Sequence, residues 1–400
     1  MKIWILTSSF PSNPRDARAA AGLFVADFAV ALAEAGHEVT VVTPDKQPSQ
    51  KQDPPGVRVH WFPWRGGGKT LSSLKPYLPG DVLAIVSLFR RGAQALETLY
   101  QRDAPDHLLA MWAAPSGILA IRLKQRRGVP VTTWCLGSDL WTLGRYPILR
   151  GVLGRVLRAS DWVFADGVQL AEDAERLAGR PCAFMPSSRR LNRALARRLS
   201  LPETGVRFLF IGRYALVKGV DVLLEAMAEF ARREPSGHLY MFGGGPLEAQ
   251  IRRRAARPDL RGRVTIAGYA DEAVAVSWFA ASDCVLIPSR MESIPVIFSD
   301  ALQMGRPLIA TDVGDMGRLL REHPAGLVVP PEDSSALCAA MLQMAAQDRS
   351  RYTPRIQELA AQFDVTKVAA AWIRRVQSRS SPGTSPGPRG VGGSSSASPS

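Results

Sequence analysis

Two basic residues follow a short apolar run in the second half of the chain. The run RFLFIG (207–212) predicts a buried strand, and a helix is predicted to begin at about Gly219. Arg213 and Lys218 flank the loop between them. A helix N-terminus beside a strand end binds anions, because its free N–H groups and its dipole point there, and two cations add charge-assisted hydrogen bonds. The pattern favours a diphosphate ligand, with ordinary surface cations as the alternative.

Two acidic residues follow another predicted strand end. That strand ends near Pro288, Glu292 lies on the next loop, Pro295 is in the first turn of a helix, and Asp300 follows about one and a half turns later. Ligands of open α/β sheets bind outside the carboxyl ends of strands. Glu292 and Asp300 are therefore candidates to accept hydrogen bonds from sugar and ribose hydroxyls. The alternatives are a solvated loop carboxylate for Glu292 and an arginine-paired helix side chain for Asp300.

The segments around these residues alternate between strands and helices. At the start, a strand, a polar loop (11–21), a helix from Gly22 to about Glu34 and a second strand form a β-α-β unit. The predicted strands of the first half are KIWILTSS, HEVTVVTP, HLLAMWA, VPVTTWCL and DWVFAD. Those of the second half are RFLFIG, HLYMFGGG, RVTIAG, DCVLIPS, RPLIATD and GLVVP. Each half is thus predicted to be an α/β domain with a parallel sheet.

Composition changes along the chain suggest the domain limits. A polar, arginine-rich stretch separates the two alternating halves, and the C-terminal residues are rich in Ser, Pro and Gly, so they cannot bury a core. The predicted parts are an N-terminal domain (1–188), a basic linker (189–205), a C-terminal domain (206–364), a closing helix (365–378) and a disordered tail (379–400).

The net charge of +14 is uneven: residues 1–200 hold 27 Lys and Arg against 16 Asp and Glu, whereas residues 201–400 hold 23 against 20. A basic first half attracts anionic partners such as membrane lipid or a phosphorylated acceptor, although a solvated face is the alternative. WFPWRGGGK (61–69) and residues 77–91 mix aromatic, apolar and basic residues, as peripheral membrane segments or core segments do. Nucleic acid is not predicted as a partner, since the cations match no recognition module.

Membrane spans, signal peptides and metal sites lack a sequence signal. No apolar run approaches 18 residues, and polar residues follow the first strand at once. The predicted location is therefore the cytoplasm, with a possible peripheral position on the inner face of the membrane. The four cysteines form no C-x-x-C pair and the five histidines are scattered, so no metal cofactor is predicted.

Taken together, the motifs of the second half resemble those of a known family. G-R-x-x-x-x-K-G, G-G-G-P, P-S-x-x-E-S-x-P with an acid eight residues after its Glu, and G-x-P-x-x-A-T-D-V-G occur in that order within residues 207–314. This order is similar to that of the family 4 retaining glycosyltransferases. The first half matches through the Gly22 loop and AEAGHEVTVVTP. The resemblance implies a GT-B architecture, in which two Rossmann-like domains face each other across a cleft and a C-terminal helix crosses back.

The resemblance also implies roles for individual residues. Arg213 and Lys218 would hold the donor diphosphate and stabilise its departure, and Glu292 would face the donor sugar as the third catalytic residue. Asp139, in the run LGSD, would contact the acceptor, with a helix N-cap as the alternative role. Donor-binding roles are implied for Gly22, Gly244, Ser293, Ile294, Pro295, Val296 and Asp300.

The chain departs from the family pattern at three places. Asp300 stands where the family usually has Glu, and Leu136 stands where it often has a histidine next to the acceptor. The family's Pro-Asn-Gly run is replaced by Pro186-Ser187-Ser188.

The expected reaction is transfer of a sugar from a nucleotide diphosphate sugar to a glycan or lipid-linked acceptor. No Asp-x-Asp motif is present to hold a metal, so Arg213, Lys218 and helix N-termini would replace it. No second carboxylate looks like a nucleophile, which favours retention by front-side attack. The alternatives are an inactive GT-B partner protein, a nucleotide-sugar epimerase and, more remotely, a nicotinamide dehydrogenase. The last lacks support because the first β-α loop carries no G-x-G-x-x-G.

Overall fold

The computed structural model describes residues 1–13, 20–46, 51–69, 71–202 and 204–378. The tail predicted from residue 379 lies outside these ranges, as does part of the loop predicted at 11–21. The strands of the N-terminal domain are β1 (Lys2–Leu6), β2 (Glu38–Pro44), β3 (Val57–Phe62), β4 (His107–Met111), β5 (Val131–Cys135), β6 (Trp162–Ala165) and β7 (Ala183–Phe184). Its helices are α1 (Ala20–Glu34), α2 (Pro79–Arg102), α3 (Ile118–Arg127), α4 (Pro147–Ala159) and α5 (Val168–Ala178).

The second set of elements begins after the linker. Its strands are β8 (Arg207–Ile211), β9 (His238–Phe242), β10 (Val264–Ala267), β11 (Cys284–Ile287), β12 (Leu308–Thr311) and β13 (Gly326–Val329). Its helices are α6 (Val220–Arg233), α7 (Glu248–Ala255), α8 (Glu272–Ala281), α9 (Val296–Gln303), α10 (Met316–Glu322), α11 (Ser334–Ala346) and α12 (Thr353–Ala360). The chain then continues into α13 (Val365–Gln377).

Each domain contains one sheet in which the paired strands run parallel. The strand order is β3-β2-β1-β4-β5-β6-β7 in the first sheet and β10-β9-β8-β11-β12-β13 in the second. Both orders reverse direction at one point, between β1 and β4 and between β8 and β11. This is the doubly wound arrangement, and it places the ligand crevice at those two points.

The predicted α/β fold and its strand-like runs are confirmed, but two strands were missed. β3 carries Arg58 and His60 and has only its two end residues fully buried, as befits an edge strand, so its apolar signal is diluted. β7 is two residues long, which is too short to give any periodicity.

The C-terminal helix α13 returns to the N-terminal domain, as predicted. Asp364 caps it through the N–H groups of Thr366 and Lys367, and its apolar face packs with α1 in the core on one side of the first sheet. Helices α2 to α5 cover the other side of that sheet. Among the helices of the described ranges, none has the combined length and apolar character needed to cross a membrane.

Candidate active site

The loops that carry the predicted catalytic residues meet at the point where the second sheet reverses its strand order. β8 and β11 are neighbours there, and the loop after β8 carries Arg213 and Lys218. The loop after β11 carries Glu292. Because both strands are parallel, the two loops leave the same edge of the sheet and form one crevice.

Two glycines allow the loops to approach closely. Gly219 has a φ of 65°, and a β-carbon there would collide with the carbonyl oxygen of Pro288. Gly314 has a φ of 54°, and a β-carbon there would collide with the carbonyl of Glu292. Any other residue at either position would be strained and would push the loops apart. The loop after β11 is therefore held between two backbone segments.

Arg290 fixes the same loop through polar contacts. Its N–H donates to the carbonyl of Val217 at 2.8 Å. Its guanidinium donates to both carboxylate oxygens of Asp221, at 2.8 and 2.9 Å, and to Glu332 at 2.6 Å. Such bidentate contacts constrain orientation as well as distance. Arg290 thus positions the loop without occupying the crevice.

Lys218 and Glu292 form an ion pair inside the crevice. Their side chains are 27% and 16% exposed, whereas Arg213 beside them is exposed to solvent. Burial, together with the positive charge of Arg213, lowers the pKa of Lys218 to about 8. A bound anion would raise that pKa again, because an opposite charge favours the charged ammonium. The arrangement provides cations for a phosphate group and a carboxylate for a neighbouring hydroxyl.

The predicted donor residue Gly244 lies beside this crevice. The carbonyl of Gly244 accepts a 2.9 Å hydrogen bond from the N–H of Tyr214, which directly follows Arg213. A β-carbon on Gly244 would lie 2.8 to 3.0 Å from the ring of Tyr269, so the glycine packs tightly under that ring. The structure therefore places Gly244 near the basic loop, and its contact with the donor remains a prediction.

The start of α9 closes the crevice on a second side. Ser293 and Ile294 are buried, Pro295 is the residue before the helix, and Val296 is its first residue. N–H groups in the first turn of a helix have no acceptor within the helix, so this turn can bind a phosphate or a sugar oxygen. The side chain of Ser293 faces the N-terminal domain, where a β-carbon on Gly167 would collide with its hydroxyl.

Asp300 is engaged by an arginine of the linker. The guanidinium of Arg189 donates to Oδ1 at 3.0 Å and to Oδ2 at 2.7 and 2.9 Å. The Asp300 side chain is buried, and that of Arg189 is 12% exposed. The arginine pairing considered above as the alternative is the arrangement found. A ribose contact of Asp300 stays a prediction, and it requires the carboxylate to share its oxygens with Arg189.

The two residues predicted on the N-terminal side are used by their own domain. A β-carbon on Gly22 would lie 2.8 Å from the carbonyl oxygen of Ser9, so this glycine lets α1 pack against the loop before it. Asp139 is 1% exposed, and its carboxylate accepts the N–H groups of Ala113, Leu136 and Leu140. In this position, Asp139 links the loop after β4 to the loop after β5, and an acceptor sugar has little access to its carboxylate. The donor and acceptor roles of both residues stay predictions.

A buried carboxylate that the sequence did not single out lies where the two domains meet. Asp166 follows β6 directly, accepts a 3.4 Å hydrogen bond from the hydroxyl of Ser187, and has the hydroxyl of Ser293 nearby. Burial is the main cause that raises the pKa of Asp166 to about 7, and the nearby Asp139 raises it further. A DG pair after a strand is an ordinary turn signal, so no feature of the sequence distinguishes Asp166 from other turn residues.

Replacing Asp166 with asparagine is expected to stabilise the protein at pH 8 and to stabilise it clearly less at pH 5. A carboxyl whose pKa is raised in the folded state supports stability fully below its unfolded value of about 4, and that support is lost progressively as the pH rises from about 4 through about 7. One pKa unit corresponds to 1.36 kcal/mol, so with partial relaxation a gain of roughly 1–3 kcal/mol is expected at pH 8. Thermal melts at both pH values measure it. The exposed Glu172→Gln is the control, and a gain that is equal at both pH values contradicts the prediction.

Metal ligands do not cluster in the site. Within the part of the chain that the structure describes, no group of three His, Cys, Asp or Glu side chains could hold a metal ion. The four cysteines are free.

Comparison with known families assigns both domains. Residues 20–187 match the model described as "Glycosyl transferase 4-like domain", and residues 205–347 match the model described as "Glycosyl transferases group 1". The chain therefore belongs to the group 1 glycosyltransferases, and its two sheets have the GT-B architecture.

Two curated relatives align with nearly the whole chain. TuaC of Bacillus subtilis, named as a teichuronic acid biosynthesis glycosyltransferase, is 24% identical over 94% of this chain and 98% of its own length. The D-inositol 3-phosphate glycosyltransferase of Xylanimonas cellulosilytica is 26% identical over 88% of this chain and 89% of its own.

Two solved structures share the fold. The sucrose-phosphate synthase of Thermosynechococcus elongatus superposes with a TM-score of 0.77 at 20% identity, covering 96% of this chain and all of its own. HepE of Anabaena, solved in complex with UDP-glucose, superposes with a TM-score of 0.70 at 16% identity, covering 94% of this chain and all of its own.

Proposed function

We propose that this chain transfers a sugar from a nucleotide diphosphate sugar to a glycan or lipid-linked acceptor, with retention of anomeric configuration and without a metal. The observation that carries the proposal is the meeting of Arg213, Lys218 and Glu292 where the second sheet reverses, next to the start of α9. A diphosphate there faces two cations and a helix N-terminus, and the sugar attached to it lies beside a carboxylate.

The mechanism follows from these charges. Lys218 releases Glu292 when the diphosphate arrives, and the phosphate oxygens keep the ammonium charged. The bond from the anomeric carbon to the diphosphate oxygen breaks, and Arg213 and Lys218 stabilise the charge left on that oxygen. The acceptor hydroxyl attacks from the same face, and its proton passes to the departing diphosphate. Glu292 accepts a hydrogen bond from a sugar hydroxyl and stabilises the positive charge that develops on the ring.

The first experiment combines donor binding with product analysis. Thermal shifts with UDP-, GDP- and ADP-sugars identify the donor, since a bound ligand raises the melting temperature by mass action. The UDP-glucose complex of HepE makes UDP-glucose the first donor to try. With an accepted donor, proton NMR of the product is expected to show the anomeric configuration of the donor, and EDTA is expected to leave the rate unchanged. An inverted product, or loss of turnover in EDTA that added metal restores, contradicts the corresponding part of the proposal.

The acceptor is proposed to lie at an anionic membrane on the cytoplasmic side. α2 and α4 each follow a strand of the first sheet, so both begin at the carboxyl edge that borders the cleft. Their starts expose apolar side chains, with Tyr77 75% and Ile148 83% exposed. This apolar rim consists of Tyr77, Leu78, Val82, Leu83, Val86, Tyr146, Ile148 and Leu149. Exposed basic residues beside it are Lys75, Arg90, Arg91, Arg145 and Arg150.

Of the two interpretations left open for WFPWRGGGK, a membrane segment and a core segment, the second describes its aromatic residues Phe62 and Trp64. Phe62 and Trp64 are buried in the core of the N-terminal domain, and Gly66 packs directly on the ring of Trp64. The alternation of aromatic and basic residues there reflects an edge strand and its turn. The apolar rim alone supports the membrane proposal.

Vesicle binding tests the apolar rim. The protein is expected to co-sediment with anionic vesicles in a salt-sensitive way, and Leu83→Asp with Val86→Asp is expected to weaken binding at least tenfold, since each buried aliphatic side chain contributes about 1.5–3 kcal/mol. Val274→Asp is the control, because Val274 is another exposed apolar residue and lies at the start of α8 in the other domain. The membrane proposal is overturned if the unmodified protein does not bind vesicles, or if the control variant loses as much vesicle binding as the double variant. Neither result bears on the proposed sugar transfer.

A further inference from the structure

Helix α5 of the N-terminal domain has no cap from its own residues. The residue before it is Gly167, which has no side chain to accept the first free N–H groups of the helix. Its backbone is extended, with a φ of -148°, so the conformation itself does not require glycine. A β-carbon would collide with the hydroxyl of Ser293 and come within 2.7 Å of Oδ2 of Asp315. Gly167 is therefore explained by the close approach of the other domain.

The C-terminal domain supplies the missing cap. Oδ2 of Asp315 accepts the N–H of Val168 at 2.6 Å and the N–H of Gln169 at 3.2 Å. Its other oxygen accepts from the guanidinium of Arg318 at 3.1 and 3.3 Å, which fixes the orientation of the carboxylate. The carboxylate of Asp315 is itself buried, while the side chain of Arg318 remains 43% exposed. This is the ordinary chemistry of an N-cap, performed by a residue 147 positions away in sequence.

The position of Asp315 is tied to the donor loop. The preceding residue, Gly314, packs against the carbonyls of Glu292 and Ser293, and the N–H of Asp315 points at the carbonyl of Ser293 at 3.4 Å. Ser293 in turn faces Gly167. The loop that carries Glu292 and the carboxylate that caps α5 are thus one packed unit.

We propose that Asp315 is a positioning residue that holds the two domains closed over the donor by capping α5 across the cleft. When the domains separate, two N–H groups of α5 lose their acceptor and the carboxylate of Asp315 loses these two donors. The contact therefore favours the closed state. Because the cap is attached to the donor loop, a donor that orders the loop also favours closure. The second statement rests on the proposed function, whereas the first concerns the protein without ligand.

Distance measurements between the domains test the proposal directly. Spin labels on Gln125→Cys and Arg253→Cys, both exposed and in different domains, report the opening of the cleft. Asp315→Ala is expected to shift the population towards longer distances by roughly tenfold, as loss of an N-cap does. Asp315→Asn retains an acceptor oxygen and is expected to restore most of the closed population.

Two further variants separate closure from helix stability. Asp333→Ala removes a cap of the same chemistry inside the C-terminal domain, where Asp333 accepts the N–H of Ala336 at 2.8 Å, and should leave the distances unchanged. Gly167→Ser gives α5 a cap of its own but collides with Ser293, so it should open the cleft without weakening the helix. Distances in Asp315→Ala that match the unmodified protein, or that match Asp333→Ala, overturn the proposal.

Kinetics provide the second measurement. Asp315→Ala is expected to raise the KM for the donor about tenfold and to change kcat less, because saturating donor restores closure. A tenfold loss in kcat with an unchanged KM contradicts a positioning role. If no nucleotide sugar binds at all, the proposed function fails, and the distances without ligand still decide whether Asp315 holds the domains together.

Discussion

Replacing Lys218 with alanine is expected to lower kcat by about 100- to 1,000-fold. Removal of one fixed group that stabilises transition-state charge typically has this effect. Lys218 is the less exposed of the two cations in the crevice, and its pKa is already lowered by burial and by Arg213. A departing diphosphate therefore gains more from this ammonium than from a solvated one, since screening by water is weaker there. Steady-state kinetics with the donor identified by thermal shift measure the loss.

Two controls accompany this variant. Lys218 also neutralises Glu292, so its removal leaves a partly buried carboxylate without its ion pair and some stability is lost. A melting curve and the thermal shift with donor show whether the variant still folds and binds. Lys367→Ala removes an exposed lysine at the start of α13 and should keep full activity. If Lys218→Ala retains normal turnover, the proposed site is wrong. If the unmodified protein shows no turnover with any donor, the result supports the alternative hypothesis of an inactive partner protein.

The sequence predicts the sheets well because their signal is local. The central strands β1 and β8 each contain four consecutive apolar residues, and these residues are buried in, or pack against, the hydrophobic cores of their domains. β3 lies at an edge and carries polar residues on its exposed side, so its pattern is weak. Local periodicity therefore predicts the centre of the first sheet and misses both of its edges, whereas the edge strands β10 and β13 of the second sheet are predicted too.

The candidate site is predicted only in part, because several of its contacts join residues that are far apart in the sequence. Arg213, Lys218 and Glu292 follow strands that neighbour each other, so their meeting could be expected from the fold. The pair of Arg189 with Asp300 joins residues 111 positions apart and depends on the path of the linker. The cap that Asp315 gives to α5 likewise depends on how the two domains are oriented. Neither contact has a local signature, because a cap or an ion pair is normally sought within a few residues.

Replacing Trp372 with alanine is expected to destabilise the protein by about 3–5 kcal/mol, because a large aromatic side chain is removed from a packed core. Trp372 lies on α13 and is fully buried among N-terminal residues, with its ring 6.2 Å from that of Phe28 and 5.2 Å from that of His107, both in edge-to-face geometry. Denaturant melts measure the loss. Arg375→Ala on the exposed face of the same helix should cost less than about 0.5 kcal/mol.

The pKa of His107 reports locally on the Trp372→Ala substitution. Its ring is buried, accepts or donates a 2.8 Å hydrogen bond with the hydroxyl of Thr132, and has a pKa that burial lowers to about 4. Loss of the Trp372 ring lets water reach the imidazole, so the pKa of His107 is expected to rise towards 6.5 in the alanine variant, as NMR titration would show. An unchanged His107 pKa together with a small loss of stability would mean that α13 contacts the surface of the N-terminal domain and is not part of its core. The expected result instead makes α13, the last helix of the described residues, part of the core of the N-terminal domain.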